Sequence, residues 1–172
     1  MPVDHLNIVE RKLIDNLRAG TYNTAAGTST AWSAADVTVF GQFPSTDETK
    51  YPAIITEMSA NGIEEQYFGQ NLTFGGSDTA AKGELYGVGF KIHLLVDRDS
   101  SITIDGEPYK ERRLLNYLML NGANVLMDVD YSATTTEVVE RHFTGFTDIG
   151  YNPELEIWAA MATMVIVFKN NR

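Results

Sequence analysis

Three side chains in this sequence have the types and spacing that could hold a transition metal. Glu140 and His142 stand two residues apart in Val138-Val139-Glu140-Arg141-His142-Phe143. Side chains two apart on a strand share a face. His93 lies in a second strand-like segment, and if the two strands were neighbours, two imidazoles and a carboxylate would converge, a set suited to a divalent transition metal. The plainer reading is a polar sheet face with solvated histidines. Asp97-Arg98-Asp99 closes the segment that holds His93, a place where sheet enzymes seat catalytic groups, but strand ends also simply return to water and no partner motif accompanies the triplet. Gly87-Val88-Gly89 sits inside a strand and lacks the third glycine and following helix of a dinucleotide loop. The sequence holds no cysteine, no serine in an activating context, no phosphate loop, no nucleophile elbow and no helix-borne His-Glu-x-x-His. The expectation is a protein that is not an enzyme, with no catalytic residue, metal or cofactor assigned.

The elements that would position these residues are read from periodicity. Leu6, Val9, Leu13 and Leu17 recur at helical spacing over residues 4–18, widened by Ile8 and Ile14, with Asp4 as N-cap and Gly20 as stop. Residues 20–35, rich in Gly, Thr, Ala and Ser, read as a loop, and 37–40 as a short strand. Tyr51 to Met58 reads as a strand with Pro52 at its start, turned at Asn61-Gly62 into a returning arm over 63–68. Residues 69–82 read as a second loose segment. In 85–96 the even positions Tyr86, Val88, Phe90, Ile92, Leu94 and Val96 are all apolar, which marks a long central strand with one buried face. A small hairpin around 102–104 precedes a second helix over 108–121, with Pro108 at its first turn, Asp105 as cap and Gly122 as stop. A short strand over 125–129 and two long strands, 137–147 and 155–168, complete the chain. The order predicts an α+β fold, a mostly antiparallel sheet with two main helices on one face and long loop insertions, forming one domain over 1–172.

Composition agrees with a packed globular chain: 172 residues, 44% hydrophobic and 21% charged. The net charge of −10 and pI of about 4.6 disfavour a grip on nucleic acid or on an anionic membrane, both of which need a basic surface. Lys110, Arg112 and Arg113 alternate with Glu107 and Glu111 and read as a solvated helix face. No apolar run approaches membrane-spanning length, and Met1-Pro2-Val3-Asp4-His5 has neither the basic nor the apolar region of a secretory signal.

The final strand sets a different requirement. Leu155, Ile157, Ala159, Met161, Val165 and Val167 point one way, and Trp158, Ala160, Ala162, Met164, Ile166 and Phe168 the other. A strand apolar on both faces must be covered on both. Two helices cover one side; the other needs a neighbouring subunit, or the loops 20–35 and 69–82 folded over it. Tyr22 and Trp32 in the first loop, Tyr67, Phe68, Leu72 and Phe74 around the second, and Trp158, Met161 and Met164 on the final strand are the candidate interface residues.

This order of elements resembles the tail-terminator (tail-completion) proteins of long-tailed bacteriophages. The resemblance lies in the helix ending Leu13-Ile14-Asp15-Asn16-Leu17-Arg18, the segment Val39-Phe40-Gly41-Gln42-Phe43-Pro44, and the aromatic-Pro-Ala-aliphatic strand start Tyr51-Pro52-Ala53-Ile54-Ile55. The charged connection Glu64-Glu65-Gln66, the long strand through Val88-Gly89-Phe90-Lys91-Ile92-His93 and the ending Met164-Val165-Ile166-Val167-Phe168 continue it. It covers most of the chain in element order, and the inserts at 20–35 and 69–82 exceed those of smaller members. The resemblance implies a homohexameric ring, made in the host cytoplasm and resident at the head-proximal end of the virion tail. It would cap the tail tube, stop its polymerisation and present the surface that joins a head-completion or neck protein. DNA would pass through its channel without specific binding. A neck or head–tail adaptor and a tail-tube subunit are the nearest alternatives, and a small metal-dependent enzyme the remote one.

Overall fold

The computed structural model describes residues 4–45, 48–65, 72–74, 81–131 and 136–171, with backbone alone at 60–65, 72–74, 81–84, 170 and 171. Helix α1 (His5–Ala19) begins where expected: the Asp4 carboxylate accepts the Asn7 N–H at 3.0 Å, a cap that contributes about 1 kcal/mol. Its stripe Val9, Leu13, Ile14 and Leu17 is buried. Gly20 ends the helix in the left-handed region at φ 56°, its N–H reaching the Asn16 and Leu17 carbonyls. Only glycine fits there, since a Cβ would lie 2.6 Å from both the Trp32 ring and the Trp32 carbonyl oxygen.

Residues 20–35 are not a structureless loop. They contain an antiparallel hairpin of β1 (Thr21–Thr24) and β2 (Gly27–Thr30), in register from Thr21 with Thr30 to Thr24 with Gly27. Both strands are mostly exposed, so the hairpin has no apolar alternation to announce it. Its threonines suit a pleated backbone, and Gly27, at φ 132°, makes the tight turn.

The main sheet runs β3-β4-β6-β10-β9. Strand β3 (Thr38–Phe40) is parallel to β4 (Ala53–Glu65). The neighbours beyond it are antiparallel: β4 with β6 (Ala81–Asp97), β6 with β10 (Ile157–Asn171), and β10 with β9 (Val138–Asn152). Strand β5 (Leu72–Phe74) pairs with the first residues of β6. The long alternating strand is therefore central, and its Val88, Phe90, Ile92, Leu94 and Val96 are wholly buried. Asn61-Gly62 does not turn the chain. Met58 pairs with Phe90 and the next registered pair is Ile63 with Val88, so β4 bulges there and continues; pairing along β6 overrides the local turn preference.

After β6, β7 (Ser101–Ile104) and β8 (Glu107–Lys110) form a hairpin, turned at Asp105 (φ 52°) and Gly106 (φ 81°) as an Asp-Gly pair favours. Pro108 therefore lies in β8, and Asp105 in the turn rather than at a helix cap. Helix α2 (Glu111–Met127) starts later and runs past Gly122. The strand expected at 125–129 is mostly the end of this helix. Val125 and Leu126 are buried on the same stripe as Leu114, Leu115 and Leu118, and Gly122 is buried within the helix, its Cβ position in ordinary contact with the Phe146 ring at 3.5 Å. The result is the expected α+β fold, with two helices and a mostly antiparallel sheet among the described residues. Helix α1 packs on α2, β3 and β10, and α2 on β6, β10 and β9.

Candidate assembly surface

The registers assign each side chain of the sheet to a face. Ile54 and Thr56 of β4, Val88 to Val96 at alternate positions of β6, and Ala160, Ala162, Met164, Ile166 and Phe168 of β10 share the face under the helices and are buried. The opposite face carries Ala53, Ile55 and Glu57 of β4, Lys91, His93 and Leu95 of β6, Ala159, Met161, Thr163 and Val165 of β10, and Glu140, His142 and Thr147 of β9. Ala53 and Ile55 are buried there, and Phe43 meets His93 edge-on at 4.9 Å between ring centroids. Val167 of β10, on the same face, is buried as well, while the strip formed by Leu95, Ala159, Met161, Thr163 and Val165 is half-buried.

The segment 20–35 does not cover this face. Trp32 donates its indole N–H to the Leu17 carbonyl at 2.9 Å, Ala31 N–H bonds the Gly20 carbonyl at 2.5 Å, and the Tyr117 hydroxyl donates to Ala31. These contacts fasten the segment to α1 and α2. Trp32 and Met164 are therefore corrected as interface candidates: both are buried in the chain's own core. Tyr22 and Trp158 are half-buried against that core, Trp158 with its ring 5.0 Å from that of Tyr151. Met161 is the proposed residue that the open face presents. Tyr67 and Phe68 lie outside the described residues, and at Leu72 and Phe74 only the backbone is described, paired with Gly83 and Ala81.

The metal trio does not assemble. Strand β10 separates β6 from β9, with His93 in register with Met161 and His142 with Val165. Two strand spacings and four residues put the imidazoles about 16 Å apart. Each histidine has its own carboxylate instead: His93 Nε2 with Glu57 Oε1 at 3.1 Å and His142 Nε2 with Glu140 Oε1 at 2.7 Å. Among the described residues no three His, Asp or Glu side chains are placed to share an ion. Asp97 is used locally, accepting the Ser100 N–H at 2.9 Å and the Ser100 hydroxyl, while Arg98 pairs with Glu156 at 3.2 Å. Burial, with the nearby Asp97 carboxylate adding to it, pushes the Tyr51 phenol above its ordinary range.

The strand expected over 137–147 is β9, but its position at the far edge of the sheet and its exposed apolar side chains were not foreseen. Strand β9 is exposed over most of its length. Of the eight exposed large hydrophobic side chains among the described residues, Val139, Ile149 and Tyr151 lie on β9 and Leu155 on the turn that follows. The strand also breaks register three times. Val139 is extra between Val138 and Glu140, Thr144 and Gly145 oppose Thr163, and Asp148 and Ile149 oppose Ala160. Gly145 at φ 79° and Asp148 at φ 52° mark two of these bulges, and the Thr144 hydroxyl oxygen fastens the first by accepting the Thr163 N–H at 3.1 Å. The irregular apolar spacing of Val139, Phe143, Phe146 and Ile149 was the one available signal.

The sequence matches no protein-family model and no curated protein.

Proposed function

We propose that this chain is a structural protein of a phage tail, a terminator whose copies close into a ring at the head-proximal end of the tail tube. The observation that carries the reading is β10, a strand apolar on both faces with helices, among the described residues, over only one of them. A neighbouring copy laid on the strip Leu95, Ala159, Met161 and Val165 would finish the burial that the strand's composition calls for. The element order of the tail-terminator family supports the same reading, as does a net charge of −10, which suits a channel that lets DNA pass without gripping it. The ring would meet the tail-tube protein on one side and a head-completion or neck protein on the other.

The test is the mass of the purified chain in solution over a range of concentrations, by light scattering after size exclusion, with electron microscopy of the same fractions. Closed rings that do not lengthen are the expected result. Filaments that lengthen with concentration would instead identify a tube subunit, since an open head-to-tail contact propagates. A chain that stays monomeric at high concentration, and remains so when mixed with its tail tube, sinks the proposal.

A further inference from the structure

Strand β9 ends the sheet with fifteen residues, and its outer side pairs with no other strand among the described residues. An edge of this length is a template for another strand, and β9 is complementary to itself. The Thr144-Gly145 bulge adds one residue, so face alternation shifts by one across it. His142 and Thr147 consequently share the open face, through Val165 and Met161, while Phe143 and Phe146 share the covered face, through Met164 and Ala162. Arg141 opposes buried Ile166, and Asp148 lies in the bulge opposing buried Ala160, so both belong to the covered face as well. A second β9 running antiparallel about an axis at this bulge puts Phe143 against Phe146, His142 against Thr147 and Arg141 against Asp148, each twice. Without the bulge, the same pairing would set open-face residues against covered-face ones.

We infer that two copies of this chain join edge to edge through β9, antiparallel and about a two-fold axis. The choice of a second copy rests on charge and shape: a cation meets a carboxylate and a ring meets a ring when β9 is the partner. Arg141 donates one N–H to the Val129 carbonyl at 2.5 Å and acts on the buried Tyr131 phenol of its own chain; a guanidinium has five donors, so in the paired arrangement others would meet Asp148 of the second copy. Exposed Val139, Ile149 and Tyr151 flank the paired stretch at its two ends. The inference stands apart from the ring, which uses the open face; the β9 contact doubles whatever mass the open face produces.

Light scattering after size exclusion tests it on the full chain. The native particle should contain an even number of 19.1-kDa chains. Asp148→Arg should halve its mass and raise the dissociation constant by about tenfold or more, because two opposed pairs become two repulsions. Asp148→Asn, which tolerates the left-handed backbone, should weaken the contact with an unchanged circular dichroism spectrum. The swap of Arg141→Asp with Asp148→Arg should restore the native mass. A native mass untouched by Asp148→Arg, or a folded swap variant that stays halved, overturns the inference. A two-chain particle that Asp148→Arg splits, and that never forms rings, keeps this contact and removes the ring. A single ring indifferent to Asp148→Arg does the reverse.

Discussion

The two faces of β6 and β10 are made by the same strands and have opposite characters. Under the helices, Phe90, Ile92, Leu94, Met164 and Ile166 are wholly buried. On the other side Val167 is buried, but Lys91, His93, Leu95, Met161 and Thr163 are half-buried, the one histidine among them tied to Glu57. The covered face can specify the fold because it admits one packing. The open face is too apolar along β10 to be a plain solvent surface and too polar along β6 to be a core. That intermediate character is what an interface between subunits has, and the clearest way to break the comparison is to change one face and read both stability and assembly.

Phe90→Ala should have the largest effect. The ring lies in the middle of the central strand, and its loss should cost about 3–5 kcal/mol of unfolding free energy, read as a lower denaturant midpoint with an unchanged slope. If the loss is instead below a kilocalorie per mole, the helix-covered face is not the one that holds the fold.

This face was also the most legible part of the sequence, because six even positions from Tyr86 to Val96 alternate strictly and strand geometry leaves one interpretation. Other elements were hidden for physical reasons. The hairpin Thr21–Thr30 buries little, so it left no hydrophobic pattern. Gly122 looked like a helix stop, but tertiary packing carried α2 five residues further, to Met127, burying Val125 and Leu126 on the helix's apolar stripe. Strand neighbours cannot be read from one sequence, so the separation of His93 from His142 by β10 was not foreseeable. Nor was the placement of Trp32, since an indole inside a polar segment suits a partner and a core equally well. The two-sided apolar character of β10 was legible, and so was a strand over 137–147; the bulges of β9, its extension to Asn152 and its place at the sheet edge were not.

Gly20→Ala comes next in size. It forces a left-handed backbone on an L side chain and drives its Cβ into Trp32, so a loss of about 2–4 kcal/mol is expected, with a change in the tryptophan fluorescence of the native state. Loss of that size would place the β1–β2 segment within the cooperative fold, on the covered side of the comparison.

A smaller effect appears at alkaline pH. Burial holds the Tyr131 phenol well above its ordinary value near 10, with the Arg141 charge acting in the opposite direction. Here the neutral form is the one the fold retains, so the unfolded chain loses its proton first. Stability is complete below pH 10 and falls as pH rises beyond it, by up to about 1.4 kcal/mol per pH unit from this group. Denaturant midpoints between pH 8 and 11 should decline more steeply in the native chain than in Tyr131→Phe, and parallel curves would refute the assignment.

The smallest effect on stability should come from the open face, and it is the one that sharpens the comparison most. Met161→Ser removes a half-buried side chain whose neighbours His93 and Thr147 remain accessible to water. With no sealed cavity left behind, the isolated chain should lose no more than about 1 kcal/mol. If the strip seats a neighbouring copy, the same substitution weakens every contact around a closed assembly, so the loss is repeated at each one. A variant that melts almost as the native chain does, yet no longer forms the native particle, would divide the sheet into a face for folding and a face for assembly. A variant that loses several kilocalories per mole as a monomer would show that the strip is core after all, sealed by the chain's own segments, and no neighbour would then be needed to explain β10.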